Sequence, residues 1–235
     1  MEFVFFGDLE NQIEGRMIAI IAGATGLTGT ALIRRLVNDS RITRIRALVR
    51  TPGKIQNHEK IEEIGLPPRG FSELLTNPDS RLSGEVYFCT LGTTIRKAGS
   101  QAAFRRVDLD AVVAFAKLCE SRKGRFFALV SAAGANSRSR IFYSRVKGDA
   151  EEAILKLAIP RVVIARPSLL IGKREEVRPA EKLGIRLFNV ISPALPHALR
   201  SRLGTPVDLL GKHLIEQALK NEPGSLILES PALDA

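Results

Sequence analysis

The stretch IIAGATGLTG, residues 20–29, joins an apolar run to a helical pattern through a turn that contains three glycines. A buried strand that enters a helix through such a turn is typical of a dinucleotide-binding βαβ unit. The first glycine permits the tight turn, the second lets the backbone approach a pyrophosphate, and the third lets the helix lie close to the strand. Unpaired N–H groups and the positive dipole end of the helix then face the phosphates. The alternative is a purely structural strand–helix turn. We expect the nucleotide site, formed here by Gly23, Thr25, Gly26, Leu27 and Gly29.

Strand and helix signals alternate along the rest of the chain. Strands are predicted at residues 18–22, 44–49, 85–90, 125–131, 161–165 and 225–228. Helices are predicted at residues 27–38, 101–120, 143–157 and 208–220, with an ambiguous one at 180–190. Glycines and prolines break residues 51–83 into loops, a short strand and a short helix. The alternation predicts an α/β fold, a doubly wound parallel sheet of the Rossmann type. The 235 residues suit one domain with a small C-terminal cap.

The first sixteen residues are expected to be a leader or tag outside this fold. Ile13-Glu14-Gly15-Arg16 matches the recognition sequence of a processing protease and stands directly before Met17. No strand or helix signal ties residues 1–16 to the core. The predicted Rossmann domain therefore spans residues 17–235, with substrate-side elements from about 173–205.

Composition excludes several classes of function and suggests a compartment. The net charge is +10, but no basic helix with interleaved aromatic residues occurs, so nucleic-acid binding is not expected. Apolar runs of about six residues are too short to span a membrane. Cys89 and Cys119 lack a Cys-x-x-Cys spacing, which indicates buried thiols in a reduced cytoplasmic compartment. His58, His197 and His213 are scattered, and no metal site is expected.

Three residues form a candidate catalytic set. Ser131 ends a predicted strand, Tyr143 follows twelve residues later, and Lys147 lies one helical turn after Tyr143. Hydride transfer to a carbonyl or from an alcohol needs a proton donor or acceptor. A phenol serves near neutral pH if its pKa falls by about 3 units, which a neighbouring ammonium and a cationic nicotinamide favour. Ser131 would bind and polarise the substrate oxygen. The pair also occurs by chance on amphipathic helices, and a serine at a strand end is often a turn residue.

The glycine turn, Ser131 and the Tyr143-x-x-x-Lys147 pair together resemble the short-chain dehydrogenase/reductase superfamily, in its extended or atypical branch. Four further motifs resemble its Tat-interacting oxidoreductase-like group: Leu91-Gly92-Thr93-Thr94, Lys97-Ala98-Gly99, Val107-Asp108 and Arg166-Pro167. The resemblance implies a Rossmann fold, NADP(H) binding and a Ser–Tyr–Lys triad in which Lys147 also holds the ribose. It places Leu91, Gly92 and Thr93 under the adenosine half, and Arg166, Pro167 and Ser168 near the nicotinamide. Many superfamily members carry an asparagine where this chain has Val107-Asp108.

The second predicted strand bears on the choice of cofactor. An NAD site usually places an acid at the end of this strand, where it bonds the ribose 2′-hydroxyl. Here the strand ends in Arg50, and no carboxylate follows until Glu59. A guanidinium suits a 2′-phosphate, although a surface arginine after a strand is also ordinary. We therefore expect NADP(H).

Two functions are compatible with these residues. The first is an NADP(H)-dependent oxidoreductase acting on a small carbonyl or alcohol. The second is a non-catalytic NADP(H)-binding regulator that senses redox state and contacts a protein partner. The Tyr143/Lys147 pair favours the enzyme, because a sensor need not retain a proton donor. A homodimer is common in the superfamily, and nothing in this sequence shows one.

Overall fold

A computed structural model describes residues 16–68, 70–76, 79–172, 204–220, 222–230 and 233. Residues 1–15 of the expected leader lie outside the described residues. So do the expected helix at 180–190 and residues 173–203 of the expected substrate-side segment.

A seven-stranded sheet forms the centre of the fold, and all its strands are parallel. The strands in chain order are β1 Met17–Ala22, β2 Ile42–Val49, β3 Ile61–Gly65, β4 Val86–Cys89, β5 Phe126–Val130, β6 Arg161–Arg166 and β9 Gly224–Glu229. Two shorter strands, β7 Leu170–Ile171 and β8 Thr205–Pro206, form a separate parallel pair. The spatial order β3-β2-β1-β4-β5-β6-β9 confirms the doubly wound sheet predicted from the alternating pattern.

Helices connect the strands. They are α1 Leu27–Val37, α2 Phe71–Thr76, α3 Ile95–Ala98, α4 Gln101–Arg105, α5 Ala111–Ser121, α6 Phe142–Leu155 and α7 Val207–Leu219, with a 3₁₀ turn at Ser80–Leu82. The helix predicted at residues 101–120 is not one uniform α-helix, because a π-helical stretch, Arg106–Asp110, separates α4 from α5. Such widened turns often occur at functional positions.

The core lies in two layers, one on each face of the sheet. Successive strand residues point to opposite faces, so Ile21 and Phe88 pack with α1 and α7 while Ile20 and Tyr87 pack with α5 and α6. Phe115 of α5 contacts three other aromatic rings at centroid distances of 5.5–5.7 Å. Each buried side chain of this size contributes roughly 1.5–3 kcal/mol of transfer free energy. Burial on both faces explains why the central strands β1, β4, β5 and β6 are nearly continuous apolar runs.

The order of the strands reverses beside β1. The chain runs from β1 outward to β2 and β3, then returns to place β4 on the other side of β1. In open parallel sheets, ligands bind outside the carboxyl ends of the strands at such a switch point. The turn after β1 and the loop after β4 meet there, so the glycine stretch lies at the expected position.

Candidate functional site

The turn after β1 requires glycine at two positions. Gly23 has φ +85°, and a Cβ on it would lie 2.6 Å from the carbonyl carbon of Thr90. A Cβ on Gly29 would lie 2.3 Å from the carbonyl oxygen of Gly23. A side chain on Gly23 would push the turn away from the end of β4, and one on Gly29 would push α1 away from the turn. The first and third glycines therefore bring the strand, turn and helix together.

Gly26 differs, because space remains beside it. A Cβ there would meet only the carbonyl oxygen of Gly23, at 3.2 Å. Gly26 caps α1 without a side-chain hydrogen bond, and the first turn of α1 contains no acidic residue. Thr25 beside it is exposed, and Leu27 is half-buried. The N-terminus of α1 can therefore accept an anion, and the open space at Gly26 fits the approach of a pyrophosphate.

Thr90 supports this turn and was not anticipated from the sequence. Its hydroxyl lies 3.1 Å from the carbonyl oxygen of Ala22 and 3.0 Å from that of Gly23. Its backbone N–H donates to Ala22 at 2.9 Å. Thr90 therefore links the end of β4 to the glycine turn. Leu91, Gly92 and Thr93 follow directly, which places the predicted cofactor loop next to the turn.

A buried ion pair lies behind that loop. The ammonium nitrogen of Lys147 is 2.8 Å from Oδ1 of Asp108. The other oxygen, Oδ2, accepts the backbone N–H of Thr93 at 2.9 Å. A Cβ on Gly92 would lie 3.7 Å from Nζ of Lys147, so the lysine reaches the loop after β4. The sequence singled out Asp108 only because many superfamily members carry an asparagine at this place. The structure shows that Asp108 is the ion-pair partner of Lys147.

Helix α6 carries three side chains of the candidate site at steps of four residues. Tyr143, Lys147 and Glu151 therefore share one face. Tyr143 is half-buried, and its ring packs against that of Phe104 with centroids 5.6 Å apart. The N–H of Asn136 donates to the carbonyl of Ser144 at 2.9 Å, which holds α6 against the loop that follows β5.

Ser131 follows β5 directly and is buried. Its hydroxyl donates to a carboxylate oxygen of Glu151, since an ionised carboxylate only accepts. Arg166 holds the same carboxylate, with Nη2 at 2.6 Å, and also binds Glu229 at 2.8 Å. These hydrogen bonds raise the pKa of Arg166. The sequence did not single out Glu151 for the candidate site, although its position four residues after Lys147 places it on the same helix face.

The predicted nicotinamide-side residues lie at the end of β6. The backbone N–H of Ala133 donates to the carbonyl of Pro167 at 2.9 Å, so the loops after β5 and β6 are joined. The backbone N–H of Ser168 points to the hydroxyls of Thr205 and Ser230, at 3.3 and 3.2 Å. Pro167 and Ser168 therefore lie beside the Ser131 loop, while Ser168 is also bonded to the C-terminal part of the chain.

The end of β2 carries the residue predicted to choose the cofactor. Arg50 is exposed directly after the strand. On the neighbouring β3, both carboxylate oxygens of Glu63 accept backbone N–H groups, from Gly53 at 2.5 Å and Ile55 at 2.8 Å. Glu63 therefore fixes the backbone of the loop that follows Arg50. The sequence did not predict this role, because Glu63 lies outside that loop, on the next strand.

The described residues contain no group of three or more histidine, cysteine or acidic side chains arranged to hold a metal ion. Within the same part of the chain, no helix is long and apolar enough to cross a membrane.

Comparison with known proteins identifies the family. The protein FMP52, mitochondrial, of Candida albicans is 31% identical over 214 residues, which cover 89% of this chain and 91% of the relative. FMP52 of Coccidioides immitis is 34% identical over 170 residues, covering 68% and 69%. The chain belongs to the FMP52 family. This FMP52-family chain is also 29% identical over 214 residues to HTATIP2 of Rattus norvegicus, covering 91% and 86%. These relatives confirm the predicted likeness to the Tat-interacting oxidoreductase-like group. No family model matches the chain.

Solved structures share the fold of this FMP52-family chain. The Bordetella bronchiseptica enzyme WbmG in complex with NAD has a TM-score of 0.68 at 13% identity, covering 91% of this chain and 72% of WbmG. The oxidoreductase ylbE of Lactococcus lactis has a TM-score of 0.63 at 14% identity, covering 93% and 95%. These similarities confirm the Rossmann-type fold expected from the sequence.

The compartment expected from the cysteines is wrong. Several FMP52 relatives are named mitochondrial, which contradicts the expected cytoplasmic compartment. Buried thiols explain the error. Cys89 and Cys119 are fully buried in the core, and such thiols say little about the compartment outside.

Proposed function

We propose that this FMP52-family protein is an NADP(H)-dependent oxidoreductase of the short-chain dehydrogenase/reductase type, acting on a small carbonyl or alcohol. The observation that carries the proposal is the position of Lys147 beside Gly92, on the helix face that also carries Tyr143. The cation of Lys147 thereby lies next to the loop that fits a dinucleotide, and the phenol of Tyr143 lies one helical turn away on the same face. The FMP52 relatives support a mitochondrial place of action.

Each side chain has a defined task in this proposal. The N-terminus of α1 binds the phosphates, and Lys147 binds the ribose. Tyr143 gives a proton to the substrate oxygen during reduction or takes it during oxidation. Ser131 contacts the same oxygen. Bound NADP(H) supplies or accepts the hydride, so no other redox group is needed.

The preference for NADP(H) over NAD(H) rests on the end of β2. Arg50 offers a fork of donors suited to a 2′-phosphate. The nearby carboxylate of Glu63 already accepts two backbone N–H groups, so it is committed to shaping the loop. Both features support a cofactor that carries the additional phosphate.

The test of the proposed reaction is a conservative change at Tyr143. Tyr143→Phe removes the hydroxyl and keeps the ring against Phe104. NADPH affinity is expected to change little, while turnover of an accepted aldehyde or ketone falls about 10²–10⁴-fold. Lys147→Ala is expected to weaken NADPH binding and also to lower turnover, because one ammonium serves both the ribose and the tyrosine.

A matched control is Tyr87→Phe. The Tyr87 hydroxyl donates to the carbonyl of Leu82 at 2.6 Å inside the core, away from the cofactor loop. This variant should lose some stability but keep its turnover per folded molecule. If Tyr143→Phe is as fast as the parent, the proposed proton transfer is wrong. NADPH binding without turnover across a broad carbonyl and alcohol panel would favour the non-catalytic regulator.

A further inference from the structure

The Asp108–Lys147 pair is almost entirely removed from solvent. The side chain of Asp108 is 0% exposed and that of Lys147 is 6% exposed, with 2.8 Å between Oδ1 and Nζ. At a distance of one helical turn, the electrostatic effects of two opposite charges this close largely cancel. Burial limits screening by water and salt, so this cancellation persists at high ionic strength.

Asp108 also fixes the position of the lysine relative to the cofactor loop. Its second oxygen accepts the Thr93 N–H at 2.9 Å. A Cβ on Gly92 would lie 3.6 Å from Oδ1 of Asp108 and 3.7 Å from Nζ of Lys147. Asp108 lies in the middle of the π-helical stretch Arg106–Asp110 and is buried there. One side chain thus joins three elements of the candidate site.

We propose that Asp108 is a positioning residue that holds Lys147 at the cofactor loop and, as its counter-ion, sets the pH at which Tyr143 releases its proton. This inference rests on the proposed function and adds a residue to it. Lys147 is one helical turn from Tyr143 and favours the phenolate form. The carboxylate of Asp108 opposes that effect, so the tyrosine ionises at a higher pH than it would beside an unpaired ammonium.

Several charged groups on or beside α6 have partners of their own, and Arg145 on this helix is a cation whose guanidinium donates to the main-chain carbonyls of Ser139 and Arg140. Glu151, one turn beyond Lys147, is held by Arg166. Asp149 pairs with Arg105 at 3.3 Å on the more exposed side of α6. Burial raises the pKa of the Cys89 thiol to about 12, so this group stays neutral. Among the described residues, Asp108 is therefore the charge that counters Lys147.

The composition of the chain allows a direct test on the cofactor-free protein. It has two tyrosines, Tyr87 and Tyr143, and no tryptophan. Burial raises the pKa of Tyr87, so Tyr87 should not contribute to the first step of a phenolate titration of the folded protein. The near-ultraviolet absorbance of phenolate, measured against pH, then reports Tyr143, and Tyr143→Phe must abolish that first step. Circular dichroism at each pH confirms that the protein remains folded.

Asp108→Asn keeps the shape of the side chain and removes its charge. The midpoint of the Tyr143 titration is expected to fall by about one pH unit, the effect of a nearby unit charge at a protein-like effective dielectric. Asp149→Asn is the matched control: it removes an equal charge from the same region at a more exposed position, and should shift the midpoint by less than about a third of that. An unchanged or higher midpoint in Asp108→Asn would overturn the proposal.

A second pair of variants covers the case in which Asp108→Asn does not fold. Lys147→Met alone should raise the midpoint. The double variant Asp108→Asn/Lys147→Met removes both buried charges, avoids an unpaired one, and should return the midpoint close to that of the parent. A double variant that stays about a unit away from the parent would show that the two charges do not cancel at Tyr143. The titration needs neither cofactor nor substrate, so its result is independent of the turnover assay. The role of Asp108 can therefore be refuted while turnover is found, or supported while turnover is absent.

Discussion

Gly148→Ala tests how tightly α6 must approach the loop that follows Ser131. Gly148 directly follows Lys147 on this helix. A Cβ on Gly148 would lie 2.1 Å from the backbone nitrogen of Ser137 and 2.3 Å from the carbonyl carbon of Asn136. Both neighbours are backbone atoms, which cannot rotate away as a side chain can. The helix and the loop must therefore separate to admit one methyl group.

The expected loss of stability follows from two opposing terms. Overpacking of a close contact costs typically 1–3 kcal/mol, and contacts this short against backbone belong at the upper end. Alanine in a helix interior recovers about 0.8–1.0 kcal/mol relative to glycine. The net loss is about 2 kcal/mol. For a protein of this size, that corresponds to a fall in Tm of roughly 4–8 °C.

Gly211→Ala provides a control with the opposite expected sign. Gly211 is also inside a helix, α7, but its Cβ would meet Arg35 Cδ at 3.5 Å and Leu32 Cα at 3.7 Å. These are ordinary van der Waals distances. The helical preference of alanine then dominates, and Tm should rise by roughly 2–4 °C.

Thermal and urea unfolding of the parent and both variants measure the difference. NADPH affinity is a second measurement, because moving α6 displaces Lys147, while Gly211 is distant from the cofactor loop. Gly148→Ala should therefore bind NADPH more weakly, and Gly211→Ala should bind it as the parent does. If Gly148→Ala is as stable as the parent, or if both variants change alike, the steric argument is refuted.

Three further predictions concern the cofactor, the thiols and the leader. NADPH at a hundredfold over its Kd should stabilise the protein by about 2.7 kcal/mol, or roughly 5–11 °C in Tm, and NADH at the same concentration by much less. Arg50→Ala should abolish this preference, whereas equal shifts in the parent would exclude a 2′-phosphate site. Because burial raises the pKa of Cys89 to about 12 and also raises the pKa of Cys119, neither thiol should react with Ellman's reagent at neutral pH before unfolding; fast reaction of the native protein would contradict this. Removal of residues 1–16 should leave Tm and NADPH affinity unchanged, and a clear loss of either would show that the leader packs on the domain.

Elements with strong local signals could be predicted from the sequence. The strands β1 and β5 are apolar runs buried on both faces, β6 is buried along its centre, and β2 is apolar at its carboxyl end, so these runs make the strands recognisable. The glycine turn is recognisable in the sequence because Gly23 and Gly29 meet local steric demands, while Gly26 leaves space beside the helix N-terminus. Tyr143 and Lys147 are four residues apart, so they share one face of any α-helix. Predicting the helix that became α6 was therefore enough to predict this pair.

The parts that escaped prediction depend on contacts between distant segments. Asp108 pairs with Lys147 from within a π-helical stretch that interrupts the predicted helix. No pattern of residues in the sequence predicts that change of helical pitch. Glu63 supports the loop after Arg50 through β3, a strand too short and polar to stand out in residues 51–83. Glu151 had a usable signal, since it lies four residues after Lys147, but its bond to Ser131 depends on how α6 meets β5.

The hydrogen bond from Ser131 to Glu151 sets a condition on the role proposed for this serine. A hydroxyl has one hydrogen, and here it is committed to a carboxylate that Arg166 holds in place. In that state Ser131 has no hydrogen to donate to a substrate oxygen. The oxygen of a ketone or aldehyde can only accept a hydrogen bond, and the single hydroxyl hydrogen of an alcohol is the one that Tyr143 would take during oxidation. In the proposed reaction, Ser131 can therefore stabilise either substrate only after its hydrogen turns away from Glu151, which leaves that carboxylate with one donor fewer.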